Sequence, residues 1–98
     1  MPFYTLTKAA ERDLADIADY TIITFGIEQA LAYRDGLMGC FEFLAEHPKS
    51  ARLRTELHPP VRARRFRSHL IVYDEQSDGS ILILRVRHGR EDWLVDGD

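Results

Sequence analysis

The residues with most chemical potential are arginines. Arg62, Arg64, Arg65 and Arg67 crowd into one short segment, and Arg85, Arg87 and Arg90 form a second group. Planar guanidinium forks grip phosphate or carboxylate oxygens in pairs, so such clusters suit an anionic target. The plainer reading is a solvated edge strand kept from aggregating by charge. Strand alternation sets Arg62 and Arg64 on one face and Arg65 on the other, so they do not all line one site. No aromatic platform for stacking bases is interleaved with them. His88 sits between Arg87 and Arg90, where nearby positive charge favours a neutral imidazole able to accept a proton. A polar residue closing a strand is the simpler alternative. Among His47, His58, His69 and His88 no pair has the spacing of a helical metal site, and no glycine-rich phosphate loop is present. Neither a metal nor a cofactor is expected. Cys40 reads as an inert buried thiol. Tyr4, Tyr20, Tyr33 and Tyr73 read as packing residues. Asp13, Asp16 and Asp19 read as a solvated helix face.

The bulk properties frame these residues. The chain has 98 residues, 45% hydrophobic and 30% charged, which suits one globular domain over residues 1–98. A single cysteine precludes an internal disulfide and suits a reducing cytoplasm. Residues 1–6 lack a basic stretch followed by a long apolar run, so no signal peptide is expected. No apolar run approaches the roughly 20 residues needed to span a bilayer. The net charge of −3 is unevenly spread: −4 over residues 1–50, +5 over 51–73 and −4 over 74–98. A basic centre in an acidic chain points toward an anionic partner.

The elements that must carry these residues follow from periodicity. Residues 2–6 favour a first strand. Thr7 is placed to cap a helix whose apolar stripe is Ala10, Leu14, Ile17, Thr21 and Phe25, ended by Gly26. A second helix carries Ala30, Tyr33, Leu37, Phe41 and Leu44 and stops at Pro48. Gly36 and Gly39 lie inside it, where close approach of the first helix would explain them. The break at Gly26 implies an antiparallel hairpin. Residues 49–60 read as a loop. Residues 61–66 and 69–74 read as strands around a tight turn at Arg67-Ser68, and residues 76–79 form a clear turn. Residues 80–87 make the strongest strand. Residues 89–98 are expected to include a helical turn near Trp93. The fold class is α+β, ordered β-α-α-β-β-β, with a helical hairpin on a small, mostly antiparallel sheet. Strict alternation in the last strand sends Leu82, Leu84 and Val86 one way and Ile81, Ile83, Arg85 and Arg87 the other. Both faces therefore hold large apolar residues, and one hairpin covers only one. Either a partner segment or the tail with Trp93 is expected over the second.

Taken together, these residues resemble the ParE toxins of the RelE/ParE superfamily. The opening Tyr4-Thr5-Leu6-Thr7 with Ala10, Asp13-Leu14 and Ile17 carries the likeness first. Gly26, Gln29-Ala30, Tyr33 and Phe43-Leu44-Ala45 before Pro48 extend it. Val61-Arg62, the segment 69–73, and residues 83–90 with Asp92 complete it. The resemblance covers nearly the whole chain and rests on order and spacing rather than one motif. It implies the toxin of a type II toxin–antitoxin system, neutralised by a ParD-like antitoxin and poisoning DNA gyrase by binding rather than by catalysis. The target-binding surface would then be Arg62, Arg64, Arg65, Arg67, Arg85, Arg87, His88 and Arg90. The antitoxin would lie over Ile71, Tyr73, Ile81 and Ile83, with Arg85 and Trp93 alongside. The RelE branch instead cuts messenger RNA on the ribosome, and in that case Arg62, Arg85 and His88 would be the catalytic group. Position 89 is glycine and no tyrosine follows it, a departure from the nuclease pattern. A degenerate, non-toxic binding module is the third alternative. Direct nucleic-acid binding stays open, and no membrane partner is implied.

Overall fold

The computed structural model describes residues 3–89. Its elements are β1 (Tyr4–Leu6), α1 (Lys8–Phe25), α2 (Ile27–Glu46), β2 (Leu53–Arg54), β3 (Val61–Phe66), β4 (His69–Glu75) and β5 (Ile81–His88). The strands form one sheet ordered β1-β5-β4-β3-β2. β1 runs parallel to β5, and every other pairing is antiparallel. The α+β architecture is the expected one. It gains the two-residue β2, inside the stretch read as loop, which adds an edge beside Arg62 and Val61. Among the described residues no helix is long and apolar enough to cross a membrane.

Local chemistry sets the element ends. The Thr7 hydroxyl oxygen accepts from Ala10 N at 3.0 Å and so caps α1. The same hydroxyl donates to the Leu84 carbonyl at 2.7 Å, fastening the helix start to β5. Gly26 takes φ +95°, which lets the chain turn from α1 directly into α2. Its N–H still donates to Ile22 O at 2.9 Å. Arg67 has φ +52° in the tight turn between β3 and β4. In the next turn the Asp78 carboxylate accepts from both the backbone N–H and the hydroxyl of Ser80.

The hairpin packs on one sheet face. Leu37, Phe41 and Leu44 of α2 meet Ile71, Tyr73, Ile81 and Ile83, all at most 1% exposed. The Tyr73 hydroxyl is satisfied by donating to Pro48 O at 2.9 Å. The glycine expectation needs correction. A β-carbon on Gly36 would lie 2.5 Å from the Phe66 ring of β3, so α2 approaches the sheet there, not α1. Gly39 faces open space, and packing does not explain it. Phe25, placed on the buried stripe of α1, is 62% exposed, so the buried stripe ends at Thr21.

A β-bulge corrects the reading of the two sheet faces. Val72 pairs with Arg85 and Tyr73 pairs with Ile83, leaving Leu84 as the extra residue of β5. The extra residue reverses the alternation beyond it. Val86 therefore joins Ile81 and Ile83 in the core beneath the helices, while Arg87 turns to the opposite face. That opposite face has its own small cluster of Leu57, Val61 and Val72, flanked by Ala63 and Leu84. Leu57, from the loop between β2 and β3, thus lies on the face opposite the helices. Trp93 and Arg90 lie outside the described residues.

Candidate functional site

The structure sorts the arginines by what they touch. Arg62 is held in place: one terminal nitrogen donates to Ala51 O at 2.7 Å and the other lies 3.9 Å from Glu75. Arg64 lies over the Phe43 ring, 5.0 Å from its centre. Burial pushes the neighbouring Cys40 thiol up, opposed by the charge and hydrogen bond of Arg64. Arg85 forks onto Asp13 of α1, with Nε at 2.7 Å and Nη2 at 2.9 Å from the two carboxylate oxygens. Asp13 also accepts from the backbone N–H of Val86 at 2.9 Å. β1 pairs only with Ile81–Ile83, so beyond it the first turns of α1 take over the edge of β5. Asp13 is therefore no solvated carboxylate, as expected from sequence, but a clasp between helix and strand. Burial pushes its carboxyl up, yet the Arg85 and Val86 hydrogen bonds and the charges of Arg85 and Arg87 outweigh this and hold it below its ordinary value.

Arg62, Arg85 and His88 do not converge. Arg62 pairs across from Tyr73 and His88 across from His69, four positions apart on β4, or about 13 Å along the strand. Arg85 is turned onto α1. His88 instead meets His69, with ring centres 5.5 Å apart. His69 Nδ1 is 2.6 Å from the Tyr33 hydroxyl of α2. Burial pushes the Tyr33 hydroxyl up, opposed by a backbone hydrogen bond at Ser68 and the charge of Arg67.

Arg65 and Arg67 stand at the end of the sheet formed by the β3–β4 turn and the close of β5. Arg65 and Arg87 flank Leu70 in one cross-strand row on the face away from the helices. Arg65 Nη1 donates to the Arg67 carbonyl at 3.5 Å. Arg67 leans over the Phe66 ring at 5.7 Å. Among the described residues neither has a carboxylate within ion-pair distance, unlike Arg52, Arg54, Arg62 and Arg85. Gly89 closes this end. Its N–H donates to Ser68 O at 2.6 Å, and a side chain there would collide with the Arg65 guanidinium. Seven of the eight expected target residues are described, and they split into anchored and outward-facing groups.

The expected antitoxin surface is corrected. Ile71, Tyr73, Ile81 and Ile83 are 0% exposed beneath the chain's own helices, so no partner lies over them in the folded state. Among the described residues most of the exposed large apolar side chains are on the hairpin. Tyr20, Ile22, Ile23, Phe25, Ile27 and Leu31 are all exposed there, with Ile23 at 85%. Beside them, a cleft of about 240 Å³ runs between the helices, floored by Leu14, Ala18, Ala30 and Leu37 and edged by Arg34 and Met38. A signal existed in sequence: residues 20–27 hold more large apolar residues than one face of a helix can bury. Among the described residues no group of three His, Cys, Asp or Glu could hold a metal ion.

Comparison with known proteins identifies a family for the chain. Residues 4–93 match the family described as ParE toxin of the type II toxin–antitoxin system, parDE. The chain is 33% identical over 89 residues to Toxin ParE1 of Mycobacterium tuberculosis, covering 91% of each. It is 33% identical over 85 residues to Toxin ParE1 of Caulobacter vibrioides, covering 87% of this chain and 86% of that protein. A solved chain of the chromosomal ParDE TA system from P. aeruginosa superposes with a TM-score of 0.72 at 24% identity. The match covers 90% of this chain and 95% of that one.

Proposed function

We propose that this chain, which belongs to the ParE toxin family of type II toxin–antitoxin systems, poisons DNA gyrase by binding it and is neutralised by a ParD-like antitoxin seated on the helical hairpin. The observation that carries the antitoxin site is the apolar cleft between α1 and α2 with its rim of exposed large side chains. An amphipathic helix laid in such a cleft buries its own apolar face, and the small residues Ala15, Ala18 and Ala30 allow close approach. Each Å² of apolar surface so removed from water contributes about 25 cal/mol before ordering costs. This moves the antitoxin from the sheet, where the sequence suggested it, to the hairpin.

Action by binding rather than cleavage is supported by how the arginines are used. Arg62 and Arg85 are committed to Ala51, Glu75 and Asp13, and neither shares a site with His88. Phosphodiester cleavage needs an acid, a base and a charge-stabilising group around one phosphate. One observation favours the endoribonuclease alternative: His69, His88 and Tyr33 lie in contact near Arg65 and Arg67.

The deciding experiment pairs a gyrase supercoiling and cleavage assay with translating ribosomes and messenger RNA. Gyrase-linked DNA breaks with intact RNA are expected. Cut messenger RNA with unaffected gyrase would overturn the reading and make His88 and His69 the first residues to replace.

A further inference from the structure

We infer that the end of the sheet carrying Arg65 and Arg67 contacts DNA phosphates directly, so that the toxin grips the DNA of its target complex as well as the protein. The inference rests on the gyrase reading for which DNA is met in the cell, but not for the binding chemistry. Three observations lead to it.

The first is the sorting of charge. Arg52, Arg54, Arg62 and Arg85 each have a carboxylate within 4 Å. Arg65 and Arg67 are exposed and have none among the described residues. A guanidinium paired within the chain has much of its field cancelled. One without an acid projects it into solvent and presents a free fork to an oxyanion.

The second is position. Arg65 lies in a three-strand row with Leu70 and Arg87, and Arg67 follows in the turn, so two exposed cations stand together at one end of the sheet. Gly89 leaves the space in which the Arg65 guanidinium lies, and its backbone is fixed by the bond to Ser68. Arg65 is therefore presented from a paired strand and Arg67 from the tight turn that closes it.

The third decides between DNA and an acidic protein. A protein partner is normally held by large apolar anchors in pockets, with charges around them. Every exposed large apolar side chain of the described residues lies between Phe3 and Leu53, and none occurs from residue 54 to 89. Beside Arg65 and Arg67 stand Ser68 and His88, both exposed and polar. Surfaces that bind nucleic-acid backbone are polar and strongly positive, as this end is.

The test is fluorescence anisotropy of a labelled duplex with the purified full-length toxin, titrated at several salt concentrations. Two phosphate contacts give a slope of log affinity against log salt of about −2, so a fourfold rise in salt weakens binding about tenfold. Arg65→Ala and Arg67→Ala should each remove about one unit of slope. Thermal melts check that each variant folds. A double Arg65→Ala, Arg67→Ala variant that binds as tightly as the parent would overturn the inference. So would displacement of the duplex by poly-glutamate at matched charge, which would reassign this end to an acidic protein. A gyrase cleavage assay runs alongside. If the parent toxin traps no cleaved DNA while the salt-dependent, arginine-dependent binding persists, the gyrase reading fails and the phosphate site stands. If the parent traps cleaved DNA and the double variant traps it equally, the phosphate site fails and the gyrase reading stands.

Discussion

The tip of the helical hairpin and the β3–β4 end of the sheet belong to one small protein and are built from opposite materials. From Tyr20 to Leu31 the hairpin exposes six large apolar side chains. Among the described residues the sheet end exposes none, and instead presents Arg65, Arg67, Ser68 and His88. Apolar burial is short-ranged and gains its free energy only on contact. Charge acts across a Debye length of about 8 Å and governs encounter and orientation more than residence. The first surface suits a partner that must stay bound, as an antitoxin does. The second suits a partner that is found and aligned, as a polyanion is. On the proposed reading, division of this kind would let one toxin be held by one partner and directed at another through unrelated chemistry.

Both surfaces depend on the same core, so the largest effect should erase the comparison altogether. Ile83 is fully buried and meets α1 and α2 through the core cluster. Ile83→Asp would bury a carboxylate without a partner and should cost more than about 4 kcal/mol, leaving no folded protein. Antitoxin capture and DNA binding should vanish together with the thermal transition. A variant that melts like the parent yet loses only the antitoxin would return the antitoxin site to the sheet.

The next effect should separate the two surfaces. Ala18 floors the cleft between the helices, and Ala18→Trp would fill it from a helix that tolerates the substitution. Antitoxin affinity should fall about a hundredfold, or about 2.7 kcal/mol. The salt slope of DNA binding should not move. Titration calorimetry with the antitoxin, beside the anisotropy assay, reads both. Undiminished antitoxin affinity would remove the cleft from the interface.

A smaller effect tests the clasp that joins the hairpin to the sheet. Asp13 sits on the hairpin and holds Arg85 and the Val86 N–H of β5. Its folded pKa lies below the ordinary 3.8, so the clasp contributes stability above that pH and loses it as pH falls through the folded value. Arg85 is 38% exposed and water screens the pair, so Asp13→Asn should cost only about 1 kcal/mol at neutral pH. Denaturant melts between pH 2 and 6 should show the parent converging on the variant below the folded pKa of Asp13. Parallel curves across that range would mean that the carboxylate charge does not stabilise the fold.

The sequence revealed the frame more readily than the surfaces. Thr7, Gly26 and Pro48 act through local backbone chemistry, so both helix ends were legible. The turns at Arg67-Ser68 and at residues 76–79 were legible for the same reason. The faces of β5 were not, because the bulge at Leu84 reverses the alternation and nothing in a run of Ile, Leu and Val marks where the extra residue falls. That one residue moved Val86 onto the face of Ile81 and Ile83 and Arg87 off it. The arginines were visible as a cluster, but which are held by acids depends on partners as distant in sequence as Asp13 from Arg85. Periodicity does not reach that far. The exposed hairpin was readable from the excess of apolar residues around Phe25, which a single buried stripe concealed.

The smallest effect sharpens what is meant by the cationic end. Arg52 is a surface arginine whose guanidinium lies 3.6 Å from Glu56, its side chain 67% exposed. It carries the same formal charge as Arg65 and falls in the same basic central segment. Its pairing with Glu56 is solvated, and such pairs contribute little to stability. Arg52→Ala should therefore leave the melting temperature, the antitoxin affinity and the salt slope at their parent values. Arg65→Ala changes the net charge by the same amount, yet should shift the slope. If both variants weaken DNA binding equally, total charge governs the interaction and the location of Arg65 and Arg67 carries no meaning. If only Arg65→Ala does, the distinction lies in which arginines are left without an acid, and the contrast between the two ends of the molecule is one of local chemistry.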